Sequence, residues 1–321
     1  MERRGLLAAA LLATPHLAAA QGDWPGNRPV RIIQPALPGS PADFYCRVLA
    51  EHWGRTLGGT FVVENRPGAS GTIGLAAVAN APADGWTLAF NSNTAQTIAP
   101  QVLRDVGFDP RGSFAPVVLL YKYGMYLIID PAIPARTAGE FMAWAKAKRR
   151  GVNMASVGLG SGGHLMGERI KLRGGFPAEP IHYRGSPAAL LAVAQGECDY
   201  IMDNIGASAP LMREGRLRGL ALTGRARSTA SPEVPTLAEA GYPGFEEEIW
   251  FGVSAPAGTP RPIVARLNAE ANRWLQGDLV RERMAASSHE AMGGPPEAFA
   301  EYAAWDQQVW SEVVRETGVR G

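Results

Sequence analysis

The residues of this chain best suited to chemistry are small and neutral, and they sit just before stretches with helical spacing. Pro38, Gly39, Ser40 and Asp43 open one such stretch, and Ala69, Ser70 and Gly71 open a second. Asn91, Ser92 and Asn93 follow an apolar strand pattern, and Asp203 ends another. Ser156, Gly160, Ser161 and His164 lead into a third helical stretch, and Tyr183, Arg184 and Gly185 into a fourth. Glycine lets a backbone approach a guest closely, and the first N–H groups of a helix have no partner within it. With the positive end of the helix dipole behind them, such loops favour an anion. The serine hydroxyls and asparagine amides add neutral donors of the same kind.

Each of these residues also has an ordinary structural use. Ser40-Pro41-Ala42-Asp43 places serine at an N-cap, proline at the first helical position and an acid at the third, which initiates a helix with or without a ligand. Asp43 reads as a cap, because a free acid there would repel an anionic guest. His164 fits either a structural hydrogen bond or a ligand contact. Arg184 fits either a bidentate pair with a second carboxylate or a solvated charge at a rim.

Catalytic constellations are hard to assemble. Gly158-Leu-Gly160-Ser-Gly-Gly163 satisfies G-x-G-x-x-G between a strand and a helix. The preceding strand carries polar Asn153 and Ser156, however, and no acid ends the next strand to hold a ribose; Glu179 precedes Pro180 before that strand begins. No G-x-S-x-G elbow occurs, since Ser161 has Leu159 where the first glycine belongs. His16, His52, His164, His182 and His289 show no metal-ligand spacing. No catalytic residue, metal site or cofactor is therefore assigned. The formal charge of +1 leaves no electrostatic case for a nucleic-acid partner.

The elements that must position these loops alternate. Strands are predicted at 30–34, 61–64, 87–90, 115–119, 126–129, 153–156, 181–183, 200–202, 217–222 and 249–254. Helices are predicted at 41–57, 73–80, 138–148, 164–172, 187–195, 263–275 and 297–316. Strand–helix–strand repetition argues for α/β domains with mostly parallel sheets flanked by helices, and the length suggests two of them. Extended segments at 121–130 and 248–256 look like chain crossings. Glu2-Arg3-Arg4, an apolar run over 5–13 and Ala18-Ala19-Ala20 predict a cleavable secretory signal over 1–20, and hence a periplasmic protein. Removing that signal takes two arginines and one glutamate, so 29 basic and 29 acidic residues remain. Cys46 and Cys198 are expected in different domains and unpaired. Trp86, Trp144, Trp250, Trp274, Trp305 and Trp310 are expected in cores, with Trp250 near the cleft.

Many short segments together resemble one family. The segment 64–90, Arg28-Pro-Val-Arg-Ile-Ile33, Pro38-Gly-Ser40 with Asp43, Phe108-Asp-Pro110, Tyr183-Arg-Gly-Ser186, Leu217-Arg-Gly-Leu-Ala-Leu-Thr223 and Trp250-Phe-Gly252 are similar to the Bug family. These are extracytoplasmic solute-binding proteins associated with tripartite tricarboxylate transporters, and the likeness runs from 24 to 316. It implies a two-domain, type II-like binding-protein fold with a ligand cleft between domains, and no enzymatic activity. Domain I would be 24–124 plus 250–321 and domain II 125–249, with hinges in the two crossings. It further implies a monomer that holds a small organic acid through the loops named above. Its partners would be the large and small membrane subunits of a transporter or, alternatively, a membrane histidine kinase. The chain departs from the family pattern at Ala36, Leu37, Ser40, His182 and Arg184, so ligand identity does not carry over.

Overall fold

The computed structural model describes residues 24–321, so the predicted signal at 1–20 lies outside the described residues. The chain runs β1 (Val30–Gln34), α1 (Pro41–Leu57), β2 (Phe61–Asn65), a 3-10 turn (Ala69–Gly71) into α2 (Thr72–Ala79), and β3 (Thr87–Ser92). A π-turn (Thr94–Ile98) continues into α3 (Ala99–Val102), then β4 (Phe114–Gly124). After a crossing come β5 (Tyr126–Ile129), α4 (Ala138–Ala147), β6 (Val152–Ser156), α5 (Gly162–Gly174), β7 (Ala178–His182) and α6 (Ser186–Ala194). β8 (Tyr200–Asp203), α7 (Ile205–Arg213) and β9 (Arg218–Leu222) complete this part. The chain returns in β10 (Glu248–Pro256), followed by α8 (Arg261–Leu275), α9 (Asp278–Ala286), β11 (Glu290–Ala291) and α10 (Pro296–Thr317).

Two sheets result. The first has six strands in the order β11-β4-β10-β3-β1-β2, the second five in the order β7-β6-β8-β5-β9. β1 is parallel to β2 and β3, and β6 is parallel to β7 and β8. These are the halves that strand–helix–strand repetition dictates, because such crossovers return the chain in the same direction. The other pairs are antiparallel: β10 with β3 and β4, β11 with β4, and β5 with β8 and β9. β5 and β10 enter their sheets directly from the other lobe, so each sheet is mixed rather than mostly parallel.

α1 shows how sequence sets an element here. Tyr45, Cys46, Leu49, Ala50 and Trp53 recur at helical spacing and are buried against Val30 and Ile32 of β1 and Leu88 and Phe90 of β3. Ser40 starts the helix by accepting from Asp43 N–H at 3.2 Å, and Gly58 ends it. Both cysteines are buried and free. Two helices carry no clear periodic signal: α7 contains Pro210, and α9 reads Asp-Leu-Val-Arg-Glu-Arg-Met-Ala-Ala. Among the tryptophans, Trp305 is corrected to a surface position, 49% exposed, because it lies on the outer face of α10.

Thr223 ties the two crossings together. Its backbone N–H donates to Met125 O at 2.8 Å, its hydroxyl accepts from Met125 N–H at 2.9 Å, and the same hydroxyl donates to Glu247 O at 2.6 Å. A Cβ on Gly124 would run into the Thr223 carbonyl, so only glycine fits at the first crossing. The return reaches its sheet at Glu248, before the strand predicted from 249. We keep the boundaries 24–124 plus 250–321 and 125–249 as a proposal, because α10 serves both cores. Its Phe299 packs on Trp250 and Leu119, whereas Trp310, Val313 and Val314 enter the core of the second sheet with Leu165, Met166 and Ile170.

An ion cluster with Arg169 and Glu247 buried and Arg173 and Glu316 at the surface fixes that clasp. Arg169 of α5 donates to Glu247 at 2.6 Å and to Glu316 at 2.8 Å, and Arg173 reaches Glu316 at 2.8 Å. Arg169→Ala strands the buried Glu247 carboxylate, and the expected cost is about 3–5 kcal/mol of folding stability. Urea unfolding checks it, and a loss within error of zero would contradict the clasp.

Candidate functional site

Between the two sheets lies a cavity of about 930 Å3. Its wall is built where strands end and helices begin. From the first lobe come Gln34 to Pro38, Ser40 to Ala42 at the start of α1, Pro67 to Ser70, and Ser92, Thr94 and Ala95 after β3. From the second come Val157 to Leu159 and Ser161 to Gly163 at the start of α5, Tyr183 to Ala188 at the start of α6, and Met202 to Asn204 before α7. Tyr121, Tyr123, Met125, Ile249 and Phe251, from the two crossings, form the remaining side.

The amino ends of four helices, α1, α5, α6 and α7, and of the 3-10 turn before α2 therefore face one space. Among the described residues, the N–H groups of Ser70, Gly163, Ser186 and Ala188 have no hydrogen-bond partner. Such groups with aligned dipoles behind them make an anion site without any charged side chain. Ala69 and Ser70 hold φ of 45° and 53°, a left-handed conformation that L-residues adopt at a cost, and one often found at ligand clamps. Ser70 Oγ donates across the cleft to Leu159 O at 2.7 Å, and a Cβ on Gly185 would come within 3.3 Å of Leu37 Cδ1. The rims of the two lobes thus touch at these two points.

Only two ionisable acid or base side chains of full charge line the wall. Arg184 is exposed and makes no ion pair or hydrogen bond among the described residues. Asp203 is 9% exposed and its Oδ2 has no hydrogen-bond partner. Burial pushes its carboxyl up to about 6, although the Ser186 hydroxyl and the Asn204 N–H favour the ionised form. Behind the wall, Asn204 Nδ2 reaches His289 Nε2 at 2.8 Å and His289 Nδ1 reaches the Tyr45 hydroxyl at 3.3 Å. Burial lowers His289 to about 3. A neutral ring with the proton on Nδ1 satisfies both contacts.

Ten of the sequence-derived candidates meet on the wall: Pro38, Ser40, Ala69, Ser70, Ser92, Ser161, Tyr183, Arg184, Gly185 and Asp203. The others are not part of it. The Gly39 N–H, expected to be offered to a guest, donates instead to Asp43 at 3.0 Å. Asp43 also holds Arg47 and Asn65; burial raises its carboxyl, but these contacts outweigh it and leave the group below the usual range. Asn91 bonds Gln96 and Ser254, and Asn93 reaches Glu248 O at 2.9 Å. Ser156 Oγ accepts from the Gly158 N–H at 3.2 Å, and Gly71 closes the 3-10 turn onto Gly68. The Gly160 N–H donates to His164 Nδ1 at 3.3 Å; burial, with His182 alongside, lowers that imidazole to about 4. Trp250 also faces away from the cavity, donating to Asp306 at 2.9 Å.

Sequence reasoning missed Gln34 and the ring wall of Tyr121, Tyr123 and Phe251. The rings were signalled by period-two alternation in β4, with Phe251 opposite Tyr121 in the register. Their centroids lie 5.2–6.5 Å apart with interplanar angles of 16–21°. Gln34 was signalled by an amide ending an otherwise apolar strand, Val-Arg-Ile-Ile-Gln.

Known proteins share this fold. Residues 45–319 match the family described as the tripartite tricarboxylate transporter family receptor. The chain is 35% identical to Protein BugT of Bordetella pertussis over 311 residues, covering 96% of this chain and 95% of that one. Among solved structures it resembles R. palustris Rpa4515 with adipate, at 32% identity and TM-score 0.88, covering 93% of this chain and 99% of that one. It also resembles MatC from Rhodopseudomonas palustris with bound malate, at 30% identity and TM-score 0.83, covering 89% and 99%. The chain belongs to the Bug group of tripartite tricarboxylate transporter receptors, two-domain α/β solute-binding proteins.

Proposed function

We propose that this protein captures a small organic carboxylate between its lobes in the periplasm and delivers it, unchanged, to the membrane subunits of a tripartite tricarboxylate-type transporter. The observation that carries the proposal is the convergence of unpaired helix-start N–H groups on one interlobe cavity. Neutral donors suffice there, because a closed cleft excludes water and strengthens each charge-assisted bond. Among the described residues of the cavity wall, Arg184 supplies a free positive charge. The adipate and malate held by two structural relatives support a carboxylate as the guest. Movement about the stitched crossings at Gly124 and Thr223 would open and close the cleft, with the Ser70–Leu159 bond joining the rims.

Thermal shift against a panel of mono-, di- and tricarboxylates, aromatic acids, amino acids and nicotinate is expected to find at least one stabilising acid. A ligand at a hundred times its Kd adds about 2.7 kcal/mol to folding stability. Arg184→Gln should weaken that acid's binding about 10- to 100-fold, the equivalent of a lost charge-assisted hydrogen bond. Full affinity in the variant would remove Arg184 from the site.

Asp203 generates a pH dependence with a defined sign. Its carboxyl is neutral below about 6 and charged above it, so it repels a bound anion only at the higher pH. Affinity for a carboxylate should fall about 3- to 10-fold between pH 5.5 and 7.5, and Asp203→Asn should flatten the curve at its low-pH level. The same shift makes the unfolded chain ionise first as pH rises from 3.8, so this group's contribution to stability is greatest in acid and is lost by about 6. Calorimetric titrations at both pH values check the binding arm. Unchanged pH dependence in the variant would contradict the role given to Asp203.

A further inference from the structure

Four glycines lie within the six residues from Gly158 to Gly163, and the other lobe explains why side chains are missing there. A Cβ on Gly158 would stand 3.2 Å from the Ser70 hydroxyl, and one on Gly160 would stand 3.2 Å from Val102 Cβ and 3.5 Å from Ala99 Cα. One on Gly162 would run into Ile249 of the returning strand β10. The bare backbone thus lets this loop of the second lobe lie directly on the first. Two hydrogen bonds fasten it there. Ser70 donates to Leu159 O at 2.7 Å, and the Gly162 N–H donates to the Thr94 hydroxyl at 3.4 Å.

The part of the first lobe beneath the loop is itself joined to the second. Ile98 and Val102, from the turn and short helix after β3, share one apolar cluster with Leu165 and Met166 of α5. α10 braces both. Its Asp306 accepts from Trp250 at 2.9 Å and from Asn93 at 3.4 Å, and its Ser311 donates to Gln101 at 2.7 Å. Near its end, Glu316 holds Arg169 and Arg173 of α5. The start of α7 is tied as well: Asn204 reaches His289, and the Tyr126 hydroxyl reaches Ser288 at 3.2 Å. The start of α6 is different. Its strand β7 is the edge of the second sheet, with β6 and β8 between it and β5, the strand that enters from the first lobe. Among the described residues, no hydrogen bond joins 183–188 to the first lobe, and Gly185 approaches it at Leu37.

We infer that the cleft closes as a one-sided jaw. The start of α5 and the turn after β3 form a fixed floor, held by Asp306 and Ser311 as positioning residues, and the start of α6, which carries Arg184, swings onto it. Motion follows the side with few interlobe contacts, because the packed and hydrogen-bonded side opens at a higher cost. The Gly163 N–H is then in place before a guest arrives, whereas Arg184 and the N–H groups of Ser186 and Ala188 reach the guest on closure. This rests on the proposal above that the lobes close on a guest, and it assigns the moving half.

Double electron–electron resonance on two spin-label pairs in the full chain tests the inference. Phe44→Cys with Leu191→Cys spans the mouth, and Arg104→Cys with Leu172→Cys spans the floor; all four positions are exposed, and the native cysteines are buried. Adding a stabilising acid should shorten the mouth distance by more than about 2 Å and leave the floor distance within about 1 Å. Without ligand, the mouth distribution should be the broader of the two. Asp306→Ala should broaden the floor distribution, and Gln101→Leu with Ser311→Ala repeats this arm if the first variant does not fold. Equal shifts at floor and mouth, or a floor that stays narrow in the folded variants, would overturn the inference. A still mouth with an acid bound by calorimetry would overturn it and leave the carboxylate function intact. If no acid binds, that function falls, and the ligand-free widths decide the jaw: a broader mouth supports it and equal widths overturn it.

Discussion

The dependence that organises this structure is that of a helix start on something outside the helix. The first N–H groups of every helix need a partner from elsewhere. In α1 and α5 the serine at the cap satisfies one of them, Asp43 N–H and His164 N–H respectively. Ser70, Gly163, Ser186 and Ala188 are left over, and all of them border the same space. Two sheets facing one another with their strand ends inward bring these groups together. Ser70 comes from the first lobe and the other three from the second.

That arrangement makes the connection between the lobes as important as the loops. Gly124, Met125 and Thr223 hold the two crossings side by side, and Thr223 uses its one hydroxyl as acceptor for one strand and donor to the other. α10 lies over both cores, and its far end is held by Arg169 and Arg173 through Glu316. A link also runs from Asn204 on the cavity wall through His289 to Tyr45 of α1. Changes at the cavity therefore have a hydrogen-bonded route to the back of the first lobe. The carboxylate repulsion expected of Asp203 and the attraction of Arg184 act on top of this frame.

Local signals made much of the fold legible. Ser40-Pro41 and Gly58 mark both ends of α1, and the unbroken apolar run Tyr-Leu-Ile-Ile marks β5. α7 was hidden by Pro210 and by its small residues, and α9 by its charged surface. The antiparallel pairing of β10 could not be read from its own residues, since it depends on where the chain returns from the other lobe. The site divided along the same line. Glycine and serine before helices pointed to loops that border the cavity, because that chemistry is local. Which atom of each loop faces the guest is a tertiary matter: the Gly39 N–H turns to Asp43, and Asn91 and Asn93 turn into the core. Gln34 and Phe251 joined the site only through the packing of distant strands.

A crystal structure of the protein with the organic acid that stabilises it most is the most direct measurement of this account. The carboxylate oxygens should lie about 3 Å from the free N–H groups at the starts of α5 and α6 or of the Ala69–Gly71 turn, with both lobes in contact with the ligand. A ligand seated outside the interlobe cavity, or held inside it only by side chains with those N–H groups still unpaired, would contradict it.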